Sequence, residues 1–183
     1  MAFVIEKLKL PEVLHIKSDV FADSRGFFTE MLRENIFSDY GVRGPWVQFN
    51  RSRSQKNVIR GMHFQRVPQA QAKLIMPMEG EIFDVAVDLR KNKPTFGAWV
   101  GVTLNAAKAE MAYIPAGFAH GFCVLSDVAE VLYLCSDYYA PEAEGGVAWN
   151  DPNVGVEWPV SEPILSNRDA ALPTLDKAEI NFV

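Results

Sequence analysis

The sequence predicts an all-β chain folded as a jelly-roll β-barrel with short peripheral helices, and three observations carry that prediction. Strand-like runs recur at roughly 46–54, 57–65, 72–79, 81–90, 97–105, 110–115, 119–126 and 129–139, many of them bounded by Gly, Pro or Asn. One run, EIFDVAVDLR, alternates cleanly: Phe83, Val85, Val87 and Leu89 share one face, Ile82, Asp84, Ala86 and Asp88 the other. Helical signals are sparse: LRENIFSDYG makes a short helix ending at Gly41, and DAALPTLDKAEI holds a helical turn or two. A chain of 183 residues suits one domain, 1–183, with a barrel core at roughly 46–140 and the N-terminal strands and short C-terminal helices packed on it.

Composition narrows the function classes. A net charge of −5 disfavours a general nucleic-acid binder but leaves room for a local basic pocket. No apolar run is long enough to span a bilayer. MAFVIEKLKLPEV mixes charge into its apolar residues and lacks a signal peptide's apolar region, which points to the cytoplasm. Cys123 and Cys135 sit in apolar runs and read as small buried hydrophobes. Without a secretory signal, the sequon at Asn50 is discounted.

Taken in chain order, each element adds a polar residue or two. DSRGFFTE reads as a turn and strand carrying Arg25 and Glu30, and VQFNRS as a strand carrying Gln48 and Asn50. NVIRGMHFQ holds one of only three histidines. Strand parity there sets Ile59, Gly61, His63 and Gln65 on one face and Arg60, Met62 and Phe64 on the other. A bulge at Gly61 would turn Arg60 and His63 toward one cavity, and Lys73 on the next run reaches the same space. IPAGFAHGF, ending a strand connection with His120, resembles the second motif of cupins. In the region of the first cupin motif, His63-Phe64-Gln65 has glutamine where a second metal-binding histidine would stand, so no metal is expected. AEVLYLCSDYYAPE sets Tyr133 on the face of Val131 and Cys135, where an inward hydroxyl needs a partner, and ends with Tyr138 and Tyr139. SNRDAALP supplies Arg168 and Asp169 in a helix-capping turn. Taken singly, each of these residues fits ordinary packing or solvation better than a site.

Their ordered set resembles the dTDP-4-dehydrorhamnose 3,5-epimerase family, cupin-like in fold. The likeness runs over almost the whole chain, through DSRGFFTE, VQFNRSRS, VIRGMHFQ, QAKL, GEIFDVAVDLR, PTFGAWVGVTL, IPAGFAHGFCVLSD, AEVLYLCSDYYAPE, WNDP, EWP and LSNRD. The resemblance implies a dTDP-linked 4-keto-6-deoxyhexose substrate, no cofactor, and proton transfer at the carbons flanking the ketone. It assigns the general base to His63, its carboxylate partner to Asp169, the oxyanion-stabilising cation to Lys73 and the opposed proton donor to Tyr133. It assigns nucleotide recognition to Arg25, Glu30, Gln48, Asn50, Arg60, His120, Glu144 and Arg168, with Phe27 or Tyr138 lining the thymine pocket. Asp84 is an inward carboxylate without an assigned step.

The resemblance further implies a homodimer whose N-terminal strand residues, Arg25 and Glu30 among them, reach the partner's site, with no nucleic-acid or membrane partner. Two positions depart from the family pattern. Gly145 and Met76 stand where members often carry basic residues, and both are expected at the pocket rim. Inversion at C3 or C5 alone, a metal-dependent cupin and a non-catalytic sugar-nucleotide binding module are the competing readings.

Overall fold

Apolar residues at strand spacing build two facing sheets, seen for residues 2–183 in a computed structural model. The chain runs β1 (Phe3–Lys7), β2 (Leu14–Ser18), β3 (Val20–Asp23), β4 (Gly26–Thr29), α1 (Glu34–Asp39), β5 (Gln48–Gln55), β6 (Ile59–Gln65) and β7 (Lys73–Glu79). It continues through β8 (Glu81–Asp88), β9 (Trp99–Asn105), β10 (Glu110–Ile114), β11 (Phe118–Val124), β12 (Val128–Cys135), β13 (Glu144–Gly146) and α2 (Asn167–Ala170). One sheet has the order β1-β2-β10-β7-β12-β5 and the other β13-β6-β11-β8-β9, while β3 and β4 form a separate two-stranded ribbon. This is the cupin-like jelly roll that the strand pattern predicts.

The alternation of EIFDVAVDLR is realised in β8. Ile82 and Ala86 enter the core between the sheets with Ile75, Ala112, Ile114, Phe122 and Val131. Val85, Val87 and Leu89 face the other way, under a C-terminal segment that contributes Val154, Ile180 and Phe182. A third cluster covers the outer face of the first sheet, where Phe37 and Val42 pack on Leu14, Ile16, Leu74, Met76 and Leu134. The central strands are therefore covered on both faces, and β7 and β11 read as near-continuous apolar runs, while the edge strands β1 and β5 keep one face exposed.

Each of the eight predicted runs coincides with an observed strand, β5 to β12, and the remaining differences have local causes. The run expected to 139 stops at Cys135, because the backbone beyond Ser136 bonds to side chains instead of a neighbouring strand. The helix α1 ends as predicted: Gly41 takes a positive φ of 82° just past its last turn. Met76 is buried on the outer face of the first sheet, so its departure from the family pattern does not touch the cavity rim. Gly145 pairs with Phe64, and a Cβ there would sit 2.6 Å from that ring, so the small residue is what lets the ring lie against β13. Among the described residues, no helix is long and apolar enough to cross a membrane.

Candidate active site

The predicted bulge lies in β6. Arg60 pairs with Phe122 and His63 with His120, so β6 advances three residues while β11 advances two. Gly61, at φ +127°, makes this possible by touching Gly121 on β11. A Cβ on Gly61 would lie 2.5 Å from the Gly121 Cα and 2.8 Å from the His120 carbonyl oxygen. The extra residue cancels the parity difference, and both Arg60 and His63 line one cavity of about 440 Å³.

Strand register sets the opposite wall. Gln48, Cys135 and Lys73 form one rung across β5, β12 and β7, and Asn50 and Tyr133 stand on the next rung but one. All five line the cavity from the first sheet, facing His63, Arg60, His120 and Phe122 from the second. His63 and Tyr133 thus stand on opposing walls. Glu144 on β13 and Arg168 and Asp169 on α2 complete the rim.

The carboxylate reaches His63 through local chain geometry. Ile164 bridges to β6, accepting from the Ile59 N–H at 3.0 Å and donating to the Asn57 carbonyl at 2.9 Å, which brings α2 alongside. Ser166 caps α2: its Oγ accepts from the Asp169 N–H at 3.0 Å and donates to Asp169 Oδ2 at 2.8 Å. The other oxygen, Oδ1, lies 2.7 Å from His63 Nε2. Burial pushes this carboxyl up, but bonds to His63 and Ser166 outweigh it and hold Asp169 below the ordinary range. An ionised Asp169 only accepts, so Nε2 carries the proton and the lone pair falls on Nδ1, which has no partner among the described residues.

A second pair lies deeper. His120 Nε2 is 2.7 Å from Asp84 Oδ2, and Asp84 is only 1% exposed. Burial pushes the Asp84 carboxyl up, against the opposing pull of the His120 ring. Strand parity alone leaves Asp84 without a task; its partner is the histidine diagonally across the β8–β11 ladder, since Asp84 pairs with Phe122 and His120 with Ala86. Each histidine thus spends one ring nitrogen on a carboxylate from another element.

Two cations remain free of such partners. Lys73 Nζ donates to Gln71 Oε1 at 2.8 Å and lies 3.9 Å from Cys135 Sγ. Desolvation lowers its pKa, only partly countered by Cys135. Arg60 donates through Nε to Ser54 Oγ at 2.9 Å. Neither has a carboxylate partner among the described residues, so this wall suits an anion. Burial also raises the Tyr133 hydroxyl pKa, which Cys135 reinforces and Arg60 opposes.

Of the residues singled out in the sequence, His63, Tyr133, Asp169, Lys73, Gln48, Asn50, Arg60, His120, Glu144 and Arg168 surround the cavity. Four do not. Arg25 is exposed and paired with Asp23, Glu30 is paired with Arg33, and Phe27 is 72% exposed on the β3–β4 ribbon. Tyr138 points away and is 66% exposed, because β12 has ended and strand parity no longer applies; Tyr139 lines the cavity instead. Sequence reasoning also missed Gln65, Gln71, Phe64, Phe122, Cys135 and Ser166 as lining residues. Cys135 has the right parity beside Tyr133 but sits in an apolar run that reads as hydrophobic packing, and Ser166 is legible as a cap three residues before Asp169.

Comparison with known proteins agrees with this geometry. A sequence model of the dTDP-4-dehydrorhamnose 3,5-epimerase family matches residues 7–177. A dTDP-4-dehydrorhamnose 3,5-epimerase of Salmonella typhimurium is 50% identical over 177 residues, covering 96% of this chain and 97% of that protein. The crystal structure of dTDP-6-deoxy-D-glucose-3,5-epimerase from Legionella pneumophila, in complex with dTDP-4-keto-L-rhamnose, superposes with a TM-score of 0.91 at 43% identity, covering 96% of this chain and 94% of that one. A 3'-monoepimerase from Streptomyces bikiniensis, in complex with dTDP-quinovose, superposes with a TM-score of 0.87 at 35% identity, covering 93% and 87%.

Proposed function

The chain belongs to the dTDP-4-dehydrorhamnose 3,5-epimerase family, and from that premise we propose how its cavity inverts two carbons of one sugar. It is an epimerase of dTDP-linked 4-keto-6-deoxyhexoses, turning dTDP-4-dehydro-6-deoxy-D-glucose into dTDP-4-dehydro-L-rhamnose. The double inversion is favoured over inversion of one carbon by the closer match to 3,5-epimerases, 50% against 35% identity for the monoepimerase.

The C3 and C5 protons flank the C4 ketone, so removing either leaves an enolate with its charge on O4. His63 takes the proton on Nδ1, and Asp169 stabilises the imidazolium through Nε2. The Lys73 ammonium stabilises O4 as charge develops there. Tyr133, on the opposing wall, returns a proton to the other face, and Arg60 favours the resulting phenolate. The same steps at the second carbon complete the reaction. Between the two inversions, and again after the second, His63 loses its proton to solvent and Tyr133 regains one, so the protein ends unchanged. The observation that carries this reading is the placement of a carboxylate-held histidine and a tyrosine on opposite walls of one cavity.

Arg60, Arg168, Gln48 and Asn50 hold the nucleotide diphosphate in this scheme, and His120 is kept in one tautomer by Asp84. The β3–β4 ribbon exposes Phe21, Phe27 and Phe28, which supports a homodimer in which Arg25, Phe27 and Glu30 reach the partner's cavity. Two free, buried thiols suit a cytoplasmic setting. The test is conversion of dTDP-4-dehydro-6-deoxy-D-glucose by purified protein without added cofactor, with the product identified by NMR. Inversion at both carbons is expected. A product inverted at one carbon would make the protein a monoepimerase, and no product would remove the catalytic scheme.

A further inference from the structure

Beyond Ser136 the chain leaves β12, yet three glutamine side chains take up its backbone groups. Gln71 Nε2 donates to the Asp137 carbonyl at 2.8 Å, and Gln65 Nε2 donates to the Tyr138 carbonyl at 3.1 Å. Gln48 Oε1 accepts from the Tyr139 N–H at 2.8 Å, and Gln65 Oε1 accepts from the Ala140 N–H, also at 2.8 Å. Four consecutive residues are held this way by side chains from β5, from β6 and from just before β7. Only a primary amide offers both donors and an acceptor on one flat group, so Gln65 engages Tyr138 and Ala140 as a neighbouring strand would. Its orientation is set by its surroundings. The nitrogen faces the carbonyls of Gln69, at 2.7 Å, and Tyr138, while the oxygen faces an N–H; a flipped amide would oppose like groups. At 4% exposure Gln65 is too buried for water to replace these bonds freely.

The held segment carries Tyr139, which lines the cavity and donates from its hydroxyl to Glu144 Oε2 at 2.7 Å. Glu144 in turn pairs with Arg168. Building on the function proposed above, we propose that Gln65 is a positioning residue: with Gln48 and Gln71 it fixes the 137–140 rim so that Tyr139, Glu144 and Arg168 stand in place for the nucleotide part of the substrate. Gln71 also touches Lys73 and Gln48 also touches Asn50. Gln65 lines the cavity, but among the described residues its side chain bonds only to the backbone of Gln69, Tyr138 and Ala140, so it is the member whose loss reads the rim most directly.

The test compares wild type with Gln65→Ala and Gln65→Glu, using dTDP as the binding probe and the nucleotide sugar for turnover. Gln65→Ala is expected to raise the dTDP Kd and the substrate KM about tenfold, the worth of one or two neutral hydrogen bonds, with kcat unchanged. In Gln65→Glu an ionised carboxylate faces the Gln69 and Tyr138 carbonyls, whereas a protonated carboxyl restores one donor and one acceptor. Its Kd for dTDP, divided by the wild-type Kd at the same pH, should therefore fall as the pH is lowered from about 8 to about 6, since burial raises the new carboxyl's pKa. Wild-type Kd and KM in Gln65→Ala, a kcat loss with Kd unchanged, or a flat ratio for Gln65→Glu would each overturn the proposal. If Gln65→Ala does not fold, the pH ratio of Gln65→Glu decides alone. The dTDP measurements stand independently of turnover, so a wild-type protein that binds dTDP without epimerising would defeat the proposed function while leaving this comparison decisive.

Discussion

Replacing Gly61 by alanine tests whether the contact between β6 and β11 builds the site. The added Cβ would lie 2.5 Å from the Gly121 Cα and 2.8 Å from the His120 carbonyl oxygen, both backbone atoms. Restoring an ordinary carbon–carbon contact of roughly 3.5 Å needs about 1 Å of separation between the strands. Alanine at a φ of +127° adds backbone strain of about 1–3 kcal/mol, and overpacking adds about 1–3 kcal/mol more. For a chain of this size each kcal/mol lowers Tm by ~2–4 °C, so a fall of ~5–20 °C is expected. The functional effect comes from displacement, because Arg60, His63 and His120 all flank this contact. A misplacement of about 1 Å costs about a hundredfold in rate. Calorimetry gives Tm, and kcat is measured well below it, on folded protein. A variant with lowered Tm but wild-type kcat would refute the reasoning, since the contact would then stabilise the fold without placing the site.

Three further substitutions probe the charges. Asp169→Asn should lower kcat by about 10²–10⁴-fold by removing the group that orients and charges His63. Because the folded Asp169 carboxyl lies below its unfolded value, its stabilisation is complete above about pH 4 and is lost as the pH falls through the folded value. The urea midpoint advantage of wild type over Asp169→Asn should therefore shrink only under acid conditions. Lys73→Met should raise Tm by ~2–4 °C while nearly abolishing turnover, since desolvation disfavours the buried ammonium to which the proposed scheme gives the oxyanion; thermal melts beside initial rates check both halves. Arg60→Ala should raise KM and flatten its dependence on salt, as measured between low and moderate ionic strength.

The strands of the barrel were legible because punctuation by Gly, Pro and Asn survives burial on both faces, as in β7, β8 and β11. The bulge was legible too, since a glycine between Arg60 and His63 marks a close approach. Side chains on regular strands followed parity: Gln48, Asn50, Lys73, Tyr133 and His120 all face the cavity. Parity failed where the strand ended. Tyr138 and Tyr139 sit in a segment whose backbone is held by side-chain amides, and no periodicity encodes which ring turns inward. The β3–β4 ribbon lies outside the cavity within one chain, so Arg25, Phe27 and, just past β4, Glu30 stand apart from the residues that line it. The carboxylate pairing of Asp84 was hidden because it depends on register across two strands.

The most direct test of the account is deuterium incorporation from D₂O into dTDP-4-dehydro-6-deoxy-D-glucose, followed by NMR at C3 and C5 for wild type and His63→Ala. Wild type should label both carbons and yield the L-configured product, while His63→Ala binds dTDP but labels neither. Labelling of both carbons by His63→Ala at the wild-type rate would contradict the account, because the base would then lie elsewhere in the cavity.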